Sequence, residues 1–124
     1  MGANGSSESR STYYFYGRRW KTIETLSNGA KVIQFKDPKT PGKMPEESRT
    51  PNSIYAMMNK KGGGIKCIAV YGKDCKKIVE IHTADHKGLG AHYHIWKNGH
   101  DTLAQSLSNN TKWANLLAET QNCL

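Results

Sequence analysis

"SIYAMMNKKGGGIKCIAVYGKDCKKIVEIHTAD", residues 53–85, decides the fold. Three runs rich in β-branched and aromatic residues, SIYAMMN, IKCIAVY and KKIVEIHTAD, are separated by KKGGG and GKDC. Glycine-containing connections this short join neighbouring strands, so the stretch predicts an antiparallel meander. Strict alternation in the third run sends Val79, Ile81 and Thr83 to one face and Ile78, Glu80 and His82 to the other. The first set suits a core beneath the sheet. The second places Glu80 and His82 on an open face, beside the residues of IKCIAVY that share that side.

Working outward, TYYFYGRRWKTIETL (12–26) and AKVIQFK (30–36) are both strand-like and flank the turn SNG, so a first hairpin is expected. DPKTPGKMPEESRTPN (37–52) holds all four prolines of the chain and little apolar content, which predicts a surface loop. Past the meander, DTLAQSLSNNTKWANLLAETQ (101–121) reads as a helix. Trp113, Leu116, Leu117 and Thr120 recur at spacings of three and four, and Asn109 or Asn110 can cap it. The expectation is one small α+β domain over residues 13–124, with a central antiparallel sheet of about four strands and a C-terminal helix packed on it. Residues 1–12, MGANGSSESRST, are polar and Gly/Ser-rich and are expected to be a disordered leader or linker.

Lys and Arg number 18 against 10 Asp and Glu, a formal charge of +8, and only 36% of the 124 residues are hydrophobic. Such a chain builds a modest core and attracts polyanions, and nucleic acid is the leading partner. Between Met58 and His100 stand eight lysines and three acids, Asp74, Glu80 and Asp85, so this excess falls where the chemistry is richest. No apolar run approaches the length a bilayer requires, and a soluble chain without a membrane span is expected. Cys67, Cys75 and Cys123 cannot all pair within the chain and are expected to be reduced, although Cys67 and Cys75 flank one hairpin turn.

All five histidines fall within EIHTADHKGLGAHYHIWKNGH, residues 80–100: His82, His86, His92, His94 and His100. One chemistry for such a cluster is metal binding, with His92-x-His94 and either His82 or His86 supplying three ligands. Another is metal-free cleavage of RNA. That reaction needs a base for the 2′-hydroxyl proton, an acid for the leaving 5′-oxygen and a cation for the phosphorane charge. His86 with His92 or His94 would be the acid/base pair, with Glu80 and His82 on the strand leading to them and Lys66 or Lys87 as the cation. Gly88 and Gly90 would let the backbone approach a phosphate. Tyr93 and Trp96 could stack on bases, and Lys60, Lys61, Lys66 and Lys87 could bind the RNA backbone. His100 reads as an exposed loop residue. A third alternative is a basic nucleic-acid-binding module without catalysis.

The run IKCIAVYGKDCKKIVEIHTADHKGLGAHYHIWKNG resembles the C-terminal toxin domains of bacterial polymorphic and contact-dependent inhibition systems. The resemblance lies in a strand–turn–strand ending in EIH, a DH-x-G segment, an HxHxW segment and a terminal helix, over about residues 54 to 120. These domains are similar to the barnase, EndoU, colicin and RelE (BECR) ribonucleases. The resemblance implies a metal-independent endoribonuclease, often acting on tRNA, that needs no cofactor and leaves a 2′,3′-cyclic phosphate. It also implies a monomeric toxin domain delivered as part of a larger secreted protein into the cytoplasm of a target bacterium, and neutralised at home by an acidic immunity protein. By position, its DH histidine is His86 and its HxH pair is His92 and His94. Cys75 departs from the pattern, standing where a glycine is usual in the turn.

Overall fold

The computed structural model describes residues 20–35, 44–59, 62–85 and 88–124. The proposed leader, the 12–19 part of the first strand, the 36–43 part of the proline loop, Lys60, Lys61, His86 and Lys87 lie outside the described residues. The domain is α+β: a mostly antiparallel sheet with one C-terminal helix. Its strands are β1 (Trp20–Thr25), β2 (Lys31–Phe35), β3 (Ile54–Met58), β4 (Ile65–Tyr71), β5 (Lys77–His82), β6 (His92–Lys97), β7 (His100–Asp101) and β8 (Gln105–Ser106). The spatial order is β1-β2-β3-β4-β5-β6-β7, with β8 also on β6.

The meander β3-β4-β5 forms as its turns require, and the first hairpin joins it as further strands. The expectation of about four strands is therefore too low, because the HxH segment and the short stretches after it also pair. β6 lies antiparallel on β5, and β7 and β8 line its other edge. One pair, β2 with β3, is parallel, which a long connection such as residues 36–53 permits. The described part of that connection runs back along the start of β5. Lys77 N donates to Glu46 O (3.0 Å) and Ser48 N to Cys75 O (2.8 Å).

The helix is shorter than its pattern suggests. α1 spans Thr111–Asn122, and Asn110 caps it by accepting from the Trp113 N–H at 3.1 Å. Residues 101–110, expected to be helical, are instead β7, β8 and a 3₁₀ turn over Leu107–Asn109. The reason is local: an Asn cap starts the helix where it stands, and the backbone before it finds partners on β6.

The sheet divides its two faces between two jobs. Beneath α1, Ala56, Ile65, Ile68, Val79, Ile81, Tyr93 and Leu107 are buried against Trp113, Leu116 and Leu117. On the opposite face, Trp20, Ile33, Met44, Tyr55, Met57 and Tyr71 form a second core over the β1–β4 half. The 44–53 segment helps to close that core: Tyr71 Oη donates to Pro45 O (2.5 Å), and Arg49 lies over the Trp20 ring and donates to Trp20 O. The β4–β6 half of this same face carries polar side chains instead.

Candidate active site

Cross-strand register assembles the site. Cys67 pairs with His82 and Ala69 with Glu80 across β4–β5, while Glu80 pairs with His94 and His82 with His92 across β5–β6. Pairs opposite one another share a face, so Cys67, Glu80, His82, His92 and His94 converge. The rings of His82 and His92 stack at 5.1 Å with planes 13° apart, and His94 stands edge-on to both, 5.7 and 5.3 Å away.

Each imidazole is held by an acceptor. His82 Nε2 meets Glu80 Oε1 at 3.0 Å, His92 Nδ1 meets Gly90 O at 3.1 Å, and His94 Nδ1 meets Thr102 O at 2.8 Å. A carbonyl only accepts, so the neutral rings of His92 and His94 carry their proton on Nδ1 and their lone pair on Nε2. Asp101 Oδ2 lies 3.7 Å from His94 Nδ1.

Lys77 is the member that alternation conceals. As an odd-numbered residue with Val79 and Ile81 it should face the helix. A register shift at Val70/Tyr71 places Tyr71 opposite Lys77 and Val70 opposite Val79, leaving Ile78 as the extra residue, 41% exposed. Such a bulge re-aims a side chain. Lys77 thus joins the Glu80 face, with Nζ 2.5 Å from Glu80 Oε2, 3.2 Å from Met44 O and 3.9 Å from the centroid of Trp96.

Burial works against the Glu80 charge, but hydrogen bonds from His82 and Lys77 and the Lys77 ammonium outweigh it, so the carboxyl is held below its ordinary range. Glu80 is an ionised anchor. Cys67, buried beside it, has its thiol pushed well up by desolvation and by the Glu80 charge. Its Sγ points at Glu80 Oε1 from 3.8 Å.

The remaining expected residues fall variously. Tyr93 is buried on the helix side of β6, away from the histidines, because it alternates with them, and this corrects the expectation that it stacks on bases. Trp96 is half-buried on the site face, with Lys77 over its ring and no hydrogen-bond partner for Nε1 among the described residues. Lys66 is exposed at a second register shift, where its carbonyl accepts from the Thr83 N–H. His100 is exposed, as read, but begins strand β7 rather than lying in a loop. Gly88 and Gly90 take positive φ, but their N–H groups donate to the Asp85 carboxylate at 3.2 and 2.6 Å, which occupies the donors expected for phosphate.

All three cysteines are free; Cys67 lies within β4 and Cys75 in the turn that follows it. Among the described residues, the donors that approach metal-binding closeness are Cys67, Glu80 and His82, all within 4.8 Å of one another, rather than the HxH pair. No described helix is long and apolar enough to cross a membrane. No protein family, curated protein or solved structure matches this chain.

Proposed function

We propose that this domain is a metal-independent endoribonuclease of the BECR kind that cleaves RNA, tRNA foremost, by transesterification to a 2′,3′-cyclic phosphate. The observation that carries the reading is the mutual approach of three imidazoles, 5.1 to 5.7 Å apart on one sheet face, each aimed by an acceptor of its own. Nε2 of His92 or His94 takes the proton of the 2′-hydroxyl, and that oxygen attacks the phosphorus. His82, held by Glu80, returns a proton to the departing 5′-oxygen. Lys77 is committed to Glu80 and acts as a positioning residue, leaving charge stabilisation to a more exposed cation such as Lys66.

A chain of charge +8 concentrates a polyanionic substrate at this face. The resemblance to inhibition-system toxins supports delivery into the cytoplasm of a competing cell as part of a larger protein. It also supports neutralisation by an acidic immunity protein, which complements a basic face.

Incubation with total tRNA, with and without EDTA, followed by analysis of product ends, tests the reading. Cyclic-phosphate ends formed equally in chelator are expected. Loss of cleavage in EDTA would instead make the site a metal-dependent nuclease, and binding without any product would make the domain a non-catalytic RNA-binding module.

A further inference from the structure

The geometry points to a divalent-metal site of the zinc class at Cys67, Glu80 and His82, whose occupancy switches off the acid/base cluster. The inhibitory part rests on the ribonuclease reading; the binding part does not. Glu80 Oε1 is the vertex: His82 Nε2 lies 3.0 Å from it and Cys67 Sγ 3.8 Å. Donors about 2.0–2.3 Å from one tetrahedral ion stand roughly 3.3–3.7 Å apart. Those two edges therefore need shifts of only a few tenths of an ångström, and the third, from Cys67 Sγ to His82 Nε2, lies within 4.8 Å and closes by about 1 Å at most for the three donors to enclose an ion.

Thiolate, imidazole and carboxylate together select zinc over magnesium or calcium. Lys77 keeps Oε2, which leaves Oε1 as a single-toothed ligand whose carboxylate is oriented from behind. On binding, the Cys67 thiol gives its proton to solvent as the S–metal bond forms, and the proton that His82 Nε2 donates to Glu80 is released from that nitrogen, with Nδ1 carrying the one proton of the neutral, ligated ring. Three protein ligands leave a fourth position for water. His82, once bound through Nε2, has no lone pair left to take up a second proton, so the ring proposed as the acid is withdrawn from the reaction.

The test is a titration of the reduced, chelator-stripped domain with Co(II), followed by displacement with Zn(II), alongside RNA cleavage at the same metal concentrations. A saturable thiolate-to-cobalt charge-transfer band is expected. It should vanish in Cys67→Ser, weaken roughly a hundredfold in affinity in Glu80→Gln, and persist in the Cys75→Ser/Cys123→Ser double variant. Zn(II) should inhibit cleavage along the same occupancy curve, and EDTA should restore it.

Absence of the band, or a band lost only when Cys75 and Cys123 are replaced, overturns the site. Full cleavage at saturating Zn(II), or activation by it, overturns the switch. A Cys67-dependent band in a protein that never cleaves RNA leaves the metal site standing and refutes the ribonuclease reading.

Discussion

At the scale of single residues, the Lys77–Glu80 pair determines how the site stays in shape. Both side chains are nearly enclosed, 3% and 11% exposed. A buried pair contributes little net stability, whereas removing one partner strands the other charge at a cost of about 3–5 kcal/mol. Lys77→Met or Glu80→Gln alone should lower stability by about that much in urea unfolding. The double variant Lys77→Met/Glu80→Leu should recover most of the loss, with a coupling that a double-mutant cycle reads directly. The pH dependence has a fixed sign. Because the folded carboxyl of Glu80 is held below its unfolded value of about 4.3, its contribution is fully present above that value. It is lost as acid takes the pH down through the folded range. Unfolding midpoints measured from pH 7 to pH 3 should therefore fall more steeply in the wild type than in Glu80→Gln.

At the scale of elements, turns and caps were legible and register was not. The SNG turn, the meander and the Asn110 cap all follow from local chemistry that a window of a few residues contains. Convergence of Cys67 with His82, or of Glu80 with His94, depends on which residues lie opposite across two strand pairs, and nothing within either strand alone states it. Lys77 shows this most sharply, since one bulge reverses the face that alternation assigns to it. Glu80 and His82 sharing a face was readable from period two, as was the HxH pair, yet Tyr93 between those histidines had to fall to the core for the same reason. Cys75 departs from the glycine usual at its position and adopts φ 67° in the tight turn between β4 and β5. A left-handed conformation costs a side-chain-bearing residue roughly 1–2 kcal/mol. Cys75→Gly relieves that strain while loosening the unfolded chain, and should stabilise the domain by about 0.5–1 kcal/mol in equilibrium unfolding. Asn110→Ala, by contrast, strands the Trp113 N–H and should destabilise by about 1 kcal/mol.

At the scale of the whole molecule, one sheet separates stability from chemistry. The helix-covered face is apolar from β3 to β6, whereas the other is apolar only over β1–β4 and polar where the imidazoles gather. Gathering polar groups on one face costs little when the burial that holds the sheet together happens on its far side. The division predicts different catalytic phenotypes for two substitutions on strands separated by β5. Ile68, fully buried under the helix on β4, should lose about 0.5–1.5 kcal/mol when cut to Val, with the cleavage rate of the folded protein unchanged. His94, on β6 with a side chain 16% exposed, gives up its hydrogen bond to Thr102 O as His94→Ala and should lose a similar amount, about 0.5–1.5 kcal/mol. Its RNA cleavage should fall by about two orders of magnitude or more if Nε2 moves a proton in the transition state. Unfolding midpoints and single-turnover rates measured on the same two preparations decide the matter. A His94→Ala protein that cleaves at the wild-type rate would remove this ring from catalysis and leave His92 as the base.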